Sequence, residues 1–288
     1  MENIYLKIDE IIKQDPGKRN LIDDNTKNPL EMIVKSLLGA SHVVITTGFF
    51  IPEANSIETD GPVGALLLAD TLSQLEIKTT ILIENYAKSI FLFANNCLEN
   101  SINYKFINKD KKYSFSELIE DDVTHFIALE RPGMASDGNY YNHKGNTINK
   151  YHNELDEHFL KAREQGITTI GIGDGGNELG LGSDYHFFKK KVVNGEKTCT
   201  IISAQFSVLA GVSNWAGYAI ASLLKYEFGS KTFYDESILH CILDEAVKNG
   251  AVDGIRKKPV RTVDGLTEDW EGKILKEINI ILKESISI

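Results

Sequence analysis

Acidic side chains stand beside glycines at several points of this chain where a turn must fall, and that pairing is the first sign of chemistry. Asp-Gly occurs at 60–61, 137–138, 174–175, 253–254 and 264–265, five times where composition alone predicts about 1.4. Any single pair is ordinary turn chemistry, because Asp bonds its own backbone and Gly accepts a positive φ. The set carries more, since three of the five neighbour further acids or amides, as in Glu58-Thr59-Asp60-Gly61-Pro62 and Gly173-Asp174-Gly175-Gly176-Asn177-Glu178. Carboxylates and amide carbonyls on glycine-rich loops suit a hard divalent cation such as Mg²⁺ or Mn²⁺, which takes oxygen ligands and keeps waters. Glu58, Asp60, Asp174 and Glu178 are the candidate ligands. The same carboxylates could instead bind a substrate ammonium or cap helices, and Asp60 before Gly61 and Pro62 has the make-up of an N-cap.

Other constellations are weaker. Gly171-Ile-Gly173-Asp-Gly-Gly176 satisfies G-x-G-x-x-G, and Glu196 lies 20 residues beyond Gly176. Yet Asp174 and Glu178 would repel a pyrophosphate where the motif should attract it, so NAD is not expected. No Gly-Lys-Ser/Thr follows a glycine run, no G-x-S-x-G elbow occurs and HExxH is absent. His152 and His158 are six apart, on different faces of any helix. His143, beside Lys144 in a long aperiodic stretch, is the one histidine placed to matter. Cys97, Cys199 and Cys241 are odd in number and show no CxxC spacing, which argues against a disulfide framework and a zinc finger. Nothing suggests haem.

These loops need elements to hold them. Short β-branched runs at 42–47, 78–83, 103–107, 124–129, 168–172 and 198–203 alternate with helix-period stretches at 29–39, 62–75, 86–99, 115–121, 151–165, 208–224, 235–248 and 267–283. The alternation predicts an α/β fold: an open, mostly parallel sheet flanked by helices, Rossmann-like, built as a single domain over residues 1–288. In such a sheet ligands bind beyond the carboxyl ends of the strands, and there the chain places Thr46-Thr47-Gly48, Glu84-Asn85, Glu130-Arg131-Pro132-Gly133 and the 173–178 loop. The aperiodic stretches 131–150 and 252–265 are long enough to be functional loops.

Composition bounds the partners. With 288 residues, 42% of them hydrophobic, the chain can bury its own core, and a formal net charge of −10 is the wrong sign for neutralising phosphates. Nucleic acid is therefore excluded as a main partner. Residues 1–10 carry acids early and lack an apolar core, and no run approaches a membrane span. The expectation is a soluble, reducing, cytoplasmic protein acting on a small molecule, with a homo-oligomer left open.

Several strings together resemble the D-glutamate cyclase C-terminal-domain family: Thr46-Thr47-Gly48-Phe49 with Glu58-Thr59-Asp60-Gly61-Pro62-Val63-Gly64, Glu130-Arg131-Pro132-Gly133 with Asp137-Gly138-Asn139-Tyr140-Tyr141-Asn142, the 171–178 glycine loop, Ser213-Asn214-Trp215, Asp253-Gly254 and Thr262-Val263-Asp264-Gly265-Leu266. The resemblance is strongest over residues 25–266. Phe49-Phe50-Ile51 and Val63 depart from a more proline-rich family pattern, which bears on substrate details more than on the fold. The resemblance implies a free-standing hydro-lyase that cyclises D-glutamate, an acidic amino acid, to 5-oxo-D-proline and water. It implies Glu58, Asp60 and Glu178 as catalytic carboxylates, with Glu58 or Glu178 as base. Thr47, Gly48, Arg131, Asp137, Asn142, Lys144, Asn177 and Asn214 become substrate-binding candidates, Arg131 or Lys144 clamping the α-carboxylate. Two other classes compete: a metal-dependent phosphatase or related hydrolase on the same carboxylates, and a non-catalytic binding protein for an acidic amino acid.

Overall fold

Five of the six expected strands form where their β-branched runs lie: β1 (His42–Thr47), β4 (Lys78–Glu84), β5 (Asn103–Ile107), β6 (His125–Leu129) and β7 (Thr168–Gly173). The computed structural model describes residues 3–23 and 25–286. The run 198–203 does not extend the sheet. Its backbone bonds two loops instead, with Thr200 N–H on Gly176 O and Ile201 N–H on Met134 O, both at 3.0 Å. The sixth strand is β8 (Phe206–Leu209), and a small antiparallel hairpin, β2 (Phe50–Ile51) with β3 (Ser56–Ile57), follows β1.

All six sheet strands are parallel, in the spatial order β5-β4-β1-β6-β7-β8. The chain winds outward from β1 to one edge, then returns to β6 and winds to the other. The order therefore reverses between β1 and β6, and the crevice at their carboxyl ends is where ligands bind in folds of this kind.

Helices α2 (Leu30–Leu38), α3 (Pro62–Gln74), α10 (Glu236–Lys248) and α11 (Glu268–Ile286) match expectation closely. Four others differ. The stretch 86–99 is broken by 3₁₀ turns on both sides of α4 (Lys88–Ala94), and α5 (Phe115–Leu118) is a single turn closed by a Ser114/Glu117 capping box. Helix α6 (Asp156–Glu164) starts late because Asn153 is pulled aside, its N–H on Glu84 Oε1 at 2.7 Å. Helix α9 (Ser213–Glu227) starts late because β8 takes the residues before it. Three were not expected: α1 (Ile4–Ile12), α7 (Tyr185–Lys191) and α8 (Gly195–Thr198).

Strand alternation divides the core between two faces. Val43, Ile45, Ile81, Ile83, Ile127 and Leu129 point into the larger layer, with α3, α9, α10 and α11. Val44, Leu82, Phe126 and Ala128 point to the opposite side, against α5 and α6. Helix α3 is buried all along Pro62–Leu72 because α9 covers its outer side. The two helices touch at glycines: a Cβ on Gly217 would lie 2.7 Å from Gly64 Cα.

One expectation is corrected here. Cys97 and Cys241 form a disulfide, with Cα atoms 5.8 Å apart, tying the turn after α4 to α10 across 144 residues of sequence. Spacing gave no hint of it, since the two meet only through tertiary packing. Cys199 is free and buried. Among the described residues, no helix is long and apolar enough to cross a membrane.

Candidate active site

The β1–β6 crossover opens into a cleft of about 220 Å³. Its floor comes from loops that leave the strand ends, carrying Glu58, Glu130, Asn177 and Glu178; its mouth is closed by the 142–144 and 254–264 segments. Arg19 enters from the connection between α1 and α2. Close approach requires glycine at one point: Gly61 has φ +94°, and a Cβ there would meet Thr47 Oγ1 at 2.6 Å and Glu130 Cβ at 2.7 Å. Glu130 itself has φ +48°, a conformation that costs a residue with a Cβ about 1–2 kcal/mol and aims its carboxyl across the crossover.

Asp60 and Asn214 cross-cap the two helices behind the floor. Asp60 accepts from Ser213 N–H at 3.1 Å and Asn214 N–H at 2.8 Å at the start of α9, while Asn214 Oδ1 accepts from Gly61 N–H and Gly64 N–H at the start of α3. Asp60 is thus a helix cap, but for α9 and not for the helix that follows it in sequence. Ser213 Oγ donates to Glu130 Oε2 at 2.5 Å.

The glycine loop after β7 turns inward on its own acid. Glu178 accepts from Gly175 N–H and Gly176 N–H, each at 2.7 Å. Backbone donors that would cradle a phosphate in a nucleotide-binding loop are therefore filled by a carboxylate, which also removes the anion site a phosphoryl-transfer enzyme would want. Asp174 Oδ1 accepts from Arg19 at 2.6 Å, and the other arm of that guanidinium reaches Asp264 Oδ2 at 2.7 Å. Asp253 organises the 253–265 turn, accepting from the N–H groups of Ile255, Arg256 and Gly265 and from Thr262 Oγ1.

Six carboxyl groups, Glu58, Asp60, Glu130, Asp174, Glu178 and Asp264, thus surround one guanidinium. Burial pushes the first five above the ordinary carboxylate range; neighbouring acids add to the rise at Glu58, Asp60, Glu130 and Asp174, and Arg19 opposes it at all of these but Glu130. Like charges this close cannot all be ionised, so the site holds protons or admits a further cation. The oxygens of Asp60, Glu130 and Asp174 lie within 4.8 Å of one another, and Asp174 Oδ2 is buried with no hydrogen-bond partner. The trio fits a divalent cation on donor chemistry.

The sequence profile of the D-glutamate cyclase-like C-terminal family matches residues 8–279. The chain belongs to that family. It is 34% identical over 235 residues to human mitochondrial D-glutamate cyclase, an alignment covering 76% of this chain and 38% of that relative. The chain therefore spans well under half the length of the curated relative it matches.

Within this cyclase-like fold, the residues singled out from sequence separate into three groups. Glu58, Asn142, Lys144, Asn177 and Glu178 line the cleft together with His143. Asp60, Asp174, Thr47 and Asn214 lie buried behind it, and Thr47 Oγ1 has no partner. Gly48, with φ +95°, turns the chain out of β1. Arg131 and Asp137 do not face the cleft. Arg131 is fully buried, its guanidinium on both oxygens of Glu84 at 2.6 and 2.8 Å and on Asn153 O at 2.7 Å; Asp137 is exposed and bonds Tyr141. Sequence reasoning missed the roles of Arg19, Glu130, Lys257 and Asp264. Glu130 carried a signal, being the first residue after a predicted strand; Arg19, in a stretch without periodicity, carried none.

Proposed function

We propose that this chain is a hydro-lyase that cyclises D-glutamate to 5-oxo-D-proline and water. The observation that carries the reading is the crowd of buried carboxyl groups with raised proton affinity beneath a small-molecule cleft, in a chain of this family. Forming the lactam makes a bond from the α-nitrogen to the γ-carboxyl carbon and breaks a carbon–oxygen bond there. Two protons leave the ammonium and two arrive on the departing oxygen, so atoms and charge balance. Buried carboxyl groups with raised proton affinity can take or give protons according to which of them is ionised. Glu58, facing the cleft, is the base for the ammonium. Glu130, whose Oε2 already accepts from Ser213, donates through its other oxygen to the leaving hydroxide. Because amine and carboxyl belong to one molecule, holding the substrate folded supplies much of the acceleration.

Asp60, Glu130 and Asp174 are the residues that would hold a divalent cation, Mn²⁺ or Mg²⁺; Glu130 would then be ionised, and Lewis-acid polarisation of the carboxyl group would take the place of its proton donation. The test is incubation of the purified protein with D- and L-glutamate, with and without Mn²⁺, while following 5-oxoproline. Product from D-glutamate is expected. No product from either enantiomer under any condition overturns the activity, and saturable binding of D-glutamate without turnover would favour an amino-acid binding protein.

A further inference from the structure

The cleft has two electrically opposite ends. Its floor is acidic, as above. Its mouth carries two ammonium groups, Lys144 and Lys257, from loops far apart in sequence. Each loop is held by an Asx-type turn that fixes where its lysine emerges. Asn142 Oδ1 accepts from the N–H groups of Lys144 and Asn146 at 3.0 and 3.1 Å. Asp253 Oδ1 accepts from Ile255 and Arg256, and Lys257 N–H bonds Asp253 O at 2.7 Å. The two ammonium groups are close enough that Lys257 holds Lys144 below its ordinary range. Glu53 pairs with Lys257, so the mouth keeps two positive charges against one negative. The apolar side chains of Phe49, Ile51 and Ile255 line the same cleft.

We propose that Lys144 and Lys257 form a two-armed clasp for the substrate's α-carboxylate and thereby set which end of the amino acid enters first. This rests on the cyclase reading and deepens it. Of the three polar groups of glutamate, the amine and the γ-carboxyl must both reach the proton-holding floor, so the α-carboxylate is left for the mouth. An anion placed between two repelling ammonium groups relieves that repulsion as well as making its own charge-assisted bonds. Arg131, the other sequence candidate for this task, is already spent on Glu84.

The test compares 5-oxo-D-proline with 2-pyrrolidinone, the same ring without the carboxylate, by calorimetry on the wild-type chain and on the K144M/K257M variant. The clasp requires wild type to prefer the carboxylated ring, and the variant to lose about 100-fold of its affinity for that ring. In turnover the variant's KM for D-glutamate should rise about 100-fold while kcat changes less than about threefold, with K144R/K257R restoring most of the loss. Wild type that binds both rings equally, or a folded K144M/K257M protein that keeps its preference, overturns the clasp whatever the turnover result. Absence of turnover alongside a lost preference in the variant overturns the cyclase reading and leaves the carboxylate subsite standing.

Discussion

Arg131 and Arg19 each meet carboxylates at the carboxyl end of the sheet, yet their surroundings are opposite. Arg131 faces one acid, Glu84, across a dry contact, and every charge has a partner. Burial alone would raise Glu84, but the charge and hydrogen bonds of Arg131 hold it below the ordinary range. Arg19 touches Asp174 and Asp264 directly and has Glu130 and Asp60 nearby, so its single charge is outnumbered. A balanced pair of this kind is a strut joining the ends of β4 and β6 to the 153 turn. An outnumbered cation leaves protons that can move, and proton movement is what the proposed reaction needs.

Breaking the strut should have the largest effect. Arg131→Met leaves Glu84 buried and unpaired, which costs about 3–5 kcal/mol; urea denaturation would read it, and a loss under 1 kcal/mol would mean that the pair is not load sharing. A third way of silencing a buried acid sharpens the contrast. Glu271 accepts from Trp215 and Tyr218 at 2.8 and 2.6 Å, and burial pushes it up to about 7. The folded form therefore keeps a proton that the unfolded chain has lost between pH 4.5 and 7. That contribution is complete below 4.5, and it falls away as pH rises through 7, by on the order of 3 kcal/mol. Stability measured across this range should fall with pH, and Glu271→Gln should flatten the slope; an unchanged slope would assign the proton elsewhere. Next comes Glu130→Gln, which removes one titrating floor group. Turnover should drop about 100-fold while the melting temperature holds or rises, because repulsion is relieved. A variant that melts early would make Glu130 a strut as well.

The chain shows its fold more openly than its site, for physical reasons. Apolar runs buried on both faces name β1, β4, β6 and β7 directly, and β5, a half-buried edge strand, is named by its aromatic residues and Ile107. The run 198–203 misleads because β-propensity reports a pleated, half-buried setting, and lining a glycine loop offers nearly the same setting as a strand. That Glu58 and Glu178 line the cleft was legible because both follow glycine-rich or polar turns at strand ends, where a parallel sheet opens its crevice. Arg131 was misread for a converse reason: it follows a strand as a ligand-binding residue would, and nothing in the local sequence shows that Glu84, 47 residues earlier, is waiting for it. Lys257 and Arg19 sit on turns held locally by Asp253 and Asp15, but what brings those turns to the cleft is long-range, such as Arg19 with Asp174 across 155 residues.

Arg19→Met gives the smallest expected change and the most direct test of the contrast between the two arginines. Its side chain keeps 29% of its surface exposed, against 1% for Arg131, so solvent can follow the guanidinium out. Asp174 and Asp264 would then lose their counter-charge, and Asp174, which burial already holds above the ordinary carboxylate range, can take a proton where Glu84, held below it, does not. The stability cost should be several-fold below that of Arg131→Met, because a proton on Asp174 can replace part of the lost charge. With one positive charge gone, the floor should also gain more from an added cation: Mn²⁺ should raise the melting temperature of the variant by more than it raises that of wild type. Equal destabilisation of the two arginine variants would abolish the distinction, because it would make Arg19 a strut of the same kind. A small cost with no added response to Mn²⁺ would keep the distinction and assign the compensation to protons alone.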